Sequence, residues 1–182
     1  MDMKVKGSLF IPWVKVIKAN KSGVYDKYLT NKDREILNER ILPNIWYTFK
    51  TYKNCLNAVF EVLAKKDLKV ATEWGRAFSK EVLSGLYGGT LEGLTLISYL
   101  KNFATFYGSF FNFGKTEIVF EGKKQVVCKL LEFERQLVPL QYIFMGWMEG
   151  GLSLFGAKNI ITEVLTKNWE GAPHTSMRFT WT

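Results

Sequence analysis

A chain of 182 residues with 47% hydrophobic and 15% aromatic residues and only four prolines has the composition of a folded domain, not of a disordered or low-complexity segment. Its apolar runs are broken by charge or glycine before about 18 residues, which excludes a transmembrane helix, and "MDMKVKGSLFIPW" lacks the apolar core and cleavage site of a signal peptide. The formal net charge of +8 is uneven, with 14 Lys/Arg against 7 Asp/Glu in residues 1–70 and 11 against 10 in residues 71–182. Most of those cations stand singly on the polar sides of helical patterns, as on a solvated face, although the asymmetry also suits an acidic partner.

"VKGSLF" at 5–10 reads as a short β-like run ended by Pro12, and "WVKVIKANKSG" at 13–23 as a helix stopped by Gly23. "TNKDREIL" at 30–37 starts with a Thr or Asn cap and an acidic first turn, predicting a second helix. From Trp46 to Leu63 the spacing of Phe49, Tyr52, Leu56, Val59, Phe60 and Leu63 predicts an amphipathic helix. Asp67 caps the next one, whose stripe runs through Ala71, Trp74, Phe78, Val82 and Leu86 to the stop at Gly88 and Gly89. A fifth helix covers roughly 92–111, with Leu94, Ile97, Leu100, Ala104, Tyr107 and Phe111 on one side.

The hydrophobic period then changes from helical to alternating. "TEIVFE" and "QVVCKLLEF", joined by residues 122–124, predict a β-hairpin. Pro139 suits the first turn of a helix running to about Phe155. "KNIITEVLTKNW" and "SMRFTWT" supply two more strands, and Met177, Phe179 and Trp181 form the buried face of the last. The expected architecture is α+β, with a helical N-terminal half packed on a four-stranded antiparallel sheet (C-terminal ββαββ), in a single domain over 1–182.

Few residues carry recognisable chemistry. His174 is the only histidine, in "EGAPHTSMRFTWT", and no nucleophile and acid accompany it in a readable pattern, so no catalytic residue is expected and the protein reads as a non-enzyme. Cys55 and Cys128 show no CxxC spacing; they read as reduced, buried thiols of a cytoplasmic protein, and no zinc set can be assembled. No phosphate-cradling glycine motif is present. Aromatics interleaved with cations on a sheet are also missing, so nucleic-acid binding is not expected.

Two features leave a choice open. Trp74, Phe78, Tyr107, Phe111 and Trp147 lie on apolar stripes of several helices, as core residues or as the lining of an apolar ligand pocket. Gly146 and Gly150, four apart on one helix, with Gly151 beside them, allow the close approach of another backbone, within the chain or across a homodimer.

The order of "KGSLF", "ILPNIWY" (41–47), "GRAFSKEVLSGLY" (75–87), "FFNFGKTEI" (110–118), "GWMEGGLSLFGAKN" and the C-terminal "EGAPHTSMRFTWT" resembles a myxobacterial-type paralogous family of uncharacterised bacterial proteins. That family is similar to the 4-vinyl-reductase-type, haem-NO-binding and transport-particle subunit fold. The resemblance implies an apolar pocket for a hydrophobic small molecule, or partner assembly, commonly in a dimer. It also places Thr175 and Ala172 where the family pattern has Cys and Asp, which removes thiol or metal chemistry there. Haem-binding relatives use a helical histidine, and no predicted helix here has one, so neither haem nor zinc is expected. The leading expectation is a non-catalytic sensor or small-molecule-binding domain with a buried apolar pocket. The alternative is a dimeric interaction or scaffold module in bacterial signalling, without a ligand.

Overall fold

The computed structural model describes residues 2–87 and 95–182, with 84–87 described by backbone alone. Leu86, Gly88, Gly89 and Leu94 of the expected stripes and stops therefore lie outside the described side chains. Two compact units divide the chain: Met1–Asp67 with Gly108–Phe113, and Leu68–Tyr107 with Gly114–Thr182.

In the first unit, β1 (Lys4–Lys6) pairs antiparallel with β2 (Trp46–Thr48), Val5 opposite Tyr47. The unit also contains α1 (Gly7–Ala19), α2 (Asn31–Asn38) and α3 (Phe49–Val62). The expected helix at 13–23 starts six residues early, with Pro12 inside it. Its first turn is held from outside. The Gly7 and Ser8 amides donate to the carbonyls of Ile45 and Pro43 at 2.9 and 3.0 Å, and a Cβ on Gly7 would meet the Leu42 carbonyl oxygen. These donors fix a helical start that local sequence does not announce, and the stretch before Pro12 follows. Gly23, at φ +71°, turns the chain after the helix has ended at the Asn20 cap.

Thr30 caps α2 in a capping box: its hydroxyl accepts the Asp33 amide at 3.2 Å, while Asp33 Oδ2 accepts the Thr30 amide at 2.9 Å. Strand β2 takes the first residues of the expected 46–63 helix, so α3 begins at Phe49. Phe49, Tyr52, Leu56, Val59 and Phe60 are buried as the spacing predicts, whereas Leu63, past the end of α3, is 56% exposed. The core joins α1 to α3, with Phe10 edge-on to Tyr52 at 6.1 Å. Residues 108–113 close it, with Phe113 4.5 Å from Phe49 and Phe111 bridged to Val5.

The second unit holds α4 (Leu68–Tyr87), α5 (Leu96–Gly108), β3 (Lys115–Gly122), β4 (Gln125–Leu131), α6 (Val138–Leu154), β5 (Ile161–Thr166) and β6 (Thr175–Thr180). Its four strands form an antiparallel sheet in the order β3-β4-β6-β5. Cys128 of β4 faces Met177 of β6 in register, and Val126, Cys128, Leu130, Met177 and Phe179 are buried. On the opposite face, Arg178 reaches Glu121 at 3.1 Å and Glu163 at 2.9 Å. The ββαββ order and the α+β class agree with the sequence reading.

Candidate functional site

The second unit gathers its aromatic side chains where α5 meets α6. Phe103 stands edge-on to Phe144 at 5.5 Å, Tyr107 to Phe144 at 5.6 Å and Phe106 to Trp147 at 5.3 Å. Phe133, just after β4, lies 6.4 Å from Tyr107. Gly114, at φ +70°, makes room for the same tyrosine: a Cβ there would stand 2.9 Å from its hydroxyl oxygen. The buried side of α5 is Tyr99, Leu100, Phe103 and Tyr107, rotated from the expected Ile97–Leu100–Ala104 line, and Ile97 is 57% exposed. A helix this apolar offers two stripes, and the rings choose the one that finds ring partners.

Two helices cross through small residues beside this cluster. A Cβ on Gly75 of α4 would fall on the Ile143 carbonyl oxygen of α6, and one on Gly146 would fall on the Thr72 carbonyl oxygen. Gly150 meets Ser79 Oγ in the same way, and Gly151 is covered by the Tyr99 hydroxyl. The open faces of Gly146, Gly150 and Gly151 are thus taken up inside the unit. The buried face of α4 is Ala71, Thr72, Gly75, Ser79 and Leu83, so Trp74 and Phe78 flank it, half-buried. The expected stripe had put those two rings at its centre. Hydrophobic spacing favours large side chains, whereas a close backbone approach selects small ones.

The five residues expected to line a pocket are therefore distributed. Tyr107 and Trp147 are buried and joined through Phe103, Phe106 and Phe144, and Trp74 and Phe78 stand on α4 of the same unit. Phe111 belongs to the first unit, 5.5 Å from Phe113.

Polar residues that periodicity does not single out tie the cluster down. Gln141 on α6, Asn168 and Thr175 are at most 2% exposed. The Thr175 hydroxyl donates to Gln141 Oε1 at 2.5 Å and accepts the Asn168 amide at 3.1 Å. Gln141 Nε2 donates to Asn168 Oδ1 at 2.8 Å, and Asn168 Nδ2 to the Phe133 carbonyl at 3.2 Å. Thr175, the position that the sequence resemblance singled out, is thus the hydroxyl that binds β6 to α6. The sole signal in sequence was that resemblance. Its neighbour His174 is half-buried, and its carbonyl accepts the Thr166 hydroxyl at 2.9 Å. Across the unit, Glu149 on α6 accepts Arg76 Nε and the Thr162 hydroxyl, each at 2.6 Å.

Among the described residues no group of three His, Cys, Asp or Glu side chains could hold a metal ion. Burial pushes the Cys128 thiol up to about 12, so it is a neutral packing group at neutral pH. Haem demands less, because its iron is held in different proteins by His, Cys, Met or Tyr. The described helices carry no histidine, and the side chains buried in the second unit include Tyr107, Cys128 and Met148.

No family model matches the chain, and no curated protein matches it either. Solved structures do. An H-NOX protein from S. oneidensis in the Fe(II)NO ligation state is 13% identical, with a TM-score of 0.71 over 97% of this chain and 99% of that one. A structure probing heme distortion in the H-NOX family is 16% identical, with a TM-score of 0.68 over 97% and 95%. An oxygen-binding H-NOX domain related to soluble guanylate cyclases, in its oxygen complex, is 15% identical, with a TM-score of 0.65 over 97% and 95%. These matches correct the expectation that haem is unlikely, since the proteins that share the fold are described by their heme and its ligands. That expectation had rested on one ligand type, histidine. The chain has the fold of the H-NOX domains.

Proposed function

We propose that this chain is a small-molecule sensor domain that binds its ligand without turning it over, and that the first ligand class to test is haem. The observation that supports this most strongly is the likeness to H-NOX domains over 97% of the chain, beside a second unit that concentrates aromatic rings around Tyr107 and Trp147. Trp74 and Phe78 on α4 complete the set of rings offered to an apolar ligand in that unit. A bound haem would supply an iron that takes a diatomic gas reversibly.

The protein's own contribution would be threefold. The rings exclude water and strengthen any dipole aimed at the bound gas. Tyr107, Cys128 and Met148 are the donor types at hand, and Met148 alone needs no proton loss to act as a ligand. The Tyr107 phenol is pushed well above its ordinary value by burial, so it would ionise only if the iron itself took the place of the proton. The Gln141–Thr175–Asn168 clasp holds α6 against the sheet, so that a shift of α6 on ligand binding would be felt at β6.

The resemblance to the myxobacterial-type family supports the same reading and adds the homodimer as a further proposal. Native mass spectrometry of protein purified from haem-supplemented cells tests both. The expected spectrum shows one haem per chain, released only on unfolding. A spectrum of bare chains, with no haem at any supplement level, overturns the haem reading, and an exclusively monomeric one overturns the dimer.

A further inference from the structure

The first unit carries a groove that the sensor reading does not use. Its floor is aliphatic: Val14 and Ile41 are 6% and 9% exposed, with Ile11 one turn before Val14 on α1. Three cations stand over this floor, Lys15 and Lys18 on α1 and Arg40 just after α2, and no carboxylate lines it. The hollow measures about 390 Å³. Lys18 Nζ donates to the Glu39 carbonyl at 3.2 Å, which pins the segment after α2 against α1 and builds the second wall. Lys15 and Arg40 are exposed and have no ion-pair partner among the described residues. The surrounding charge points the same way, since residues 1–67 hold 13 Lys/Arg against 7 Asp/Glu.

An enclosed small-molecule site buries most of its ligand, about 70–90% of the surface. This groove is open and its cations sit at the rim, which suits an occupant that keeps one side in water. A helix laid in a groove does that, with its apolar residues at i, i+3 or i+4, and i+7 on the floor and its polar face outward. We propose that the α1 groove docks an acidic amphipathic helix of a partner protein. Its aliphatic side chains cover Ile11, Val14 and Ile41, and its Asp and Glu residues meet Lys15 and Arg40. The rim charges steer the encounter and select the acidic sequence. This docking is independent of haem, because every residue it uses lies in the first unit.

The test uses the full chain and a fluorescein-labelled model peptide of about 18 residues, five helical turns, with leucines at helical spacing and glutamates elsewhere. Fluorescence anisotropy is expected to show saturable binding that weakens as salt rises. Lys15→Glu with Arg40→Glu should weaken it by about tenfold, the usual scale for losing two rim charges. Lys27→Glu with Lys50→Glu, the same charge change elsewhere in the unit, should leave it within about twofold. Circular dichroism must show all variants folded, which substitutions at exposed positions allow. Absence of saturable binding, equal binding of a lysine version of the peptide, or equal loss in both double variants would overturn the proposal. Binding of anionic vesicles through Lys15 and Arg40 without binding of the peptide would overturn it as well.

Discussion

The two units solve the same problem, burying an apolar face, by opposite means. In the first, α3 sets large residues at helical spacing against α1, and Asp33 both caps α2 and accepts the Asn54 amide of α3 at 2.8 Å. In the second, α4 and α6 approach through Gly75, Gly146 and Gly150, and buried polar groups reach across elements, Gln141 to Thr175 and Glu149 to Arg76. Large-residue packing tolerates adjustment, because side chains can change rotamer. Backbone-to-backbone packing does not, because nothing between the helices can move. The second unit is therefore the more brittle and the more tightly specified.

The largest effect should come from breaking that crossing. Gly146→Ala puts a methyl group on the Thr72 carbonyl oxygen, and overpacking of this kind typically destabilises by about 1–3 kcal/mol. At this chain length that is a drop in Tm of about 2–12 °C, read by calorimetry. An unchanged Tm would mean that α4 and α6 do not meet at this glycine. The same substitution at Gly108, where a Cβ meets nothing within 4 Å, supplies the control.

Next comes the clasp. Thr175→Val leaves Gln141 Oε1 and the Asn168 amide without the partner they share, a loss of about 1–3 kcal/mol in a buried site. Thr175→Ser keeps the hydroxyl and should recover most of it. A Thr175→Val variant as stable as the wild type would show that these hydrogen bonds do not matter, and a loss confined to Thr175→Ser would show that the methyl group does.

A smaller effect is expected in the first unit. Thr30→Ala removes the α2 cap at about 0.5–2 kcal/mol. It also bears on acid stability. Burial alone would raise the Asp33 carboxyl, but the hydrogen bonds from the Asn54 amide, the Thr30 amide and hydroxyl and Thr51 outweigh it and hold Asp33 below its ordinary 3.8. A depressed carboxylate contributes stability that is present above its unfolded value and lost as pH falls through the folded one. Chemical denaturation at several pH values should therefore show stability falling below about pH 4, more gently in Thr30→Ala than in the wild type. Parallel curves would detach Asp33 from the acid limb.

The smallest perturbation compares the units directly without changing a residue. Cys55 lies in the first and Cys128 in the second, both buried, and burial pushes both thiols up to about 12, with the Asp33 charge adding to it at Cys55. Alkylation of the native protein at neutral pH should be slow at both and should report the opening of each unit. The account expects Cys128 to react more slowly than Cys55. Faster labelling at Cys128 would reverse the contrast in rigidity.

Local rules reach part of each unit. The α2 cap, the α3 stripe, the Pro139 helix start and the β3–β4 hairpin were legible because each is signalled by neighbours in sequence. The start of α1 was not, because its first amides are held by Pro43 and Ile45, far along the chain. The faces of α4 and α5 were misplaced for a related reason. Where apolar residues surround a helix, the partner decides which side is inside, and α6 selected glycine and alanine over Trp74 and Phe78. The absence of a helical histidine does not by itself remove haem from consideration, because the fold is shared with H-NOX domains at 13–16% identity.

Absorbance titration of the full chain with hemin tests the central claim most directly. The account predicts a Soret band distinct from that of free hemin, saturating at one equivalent per chain, and altered by Tyr107→Phe or Met148→Leu if either side chain is the iron's ligand. A spectrum that stays that of free hemin through the whole titration, with the protein folded by circular dichroism, would contradict it.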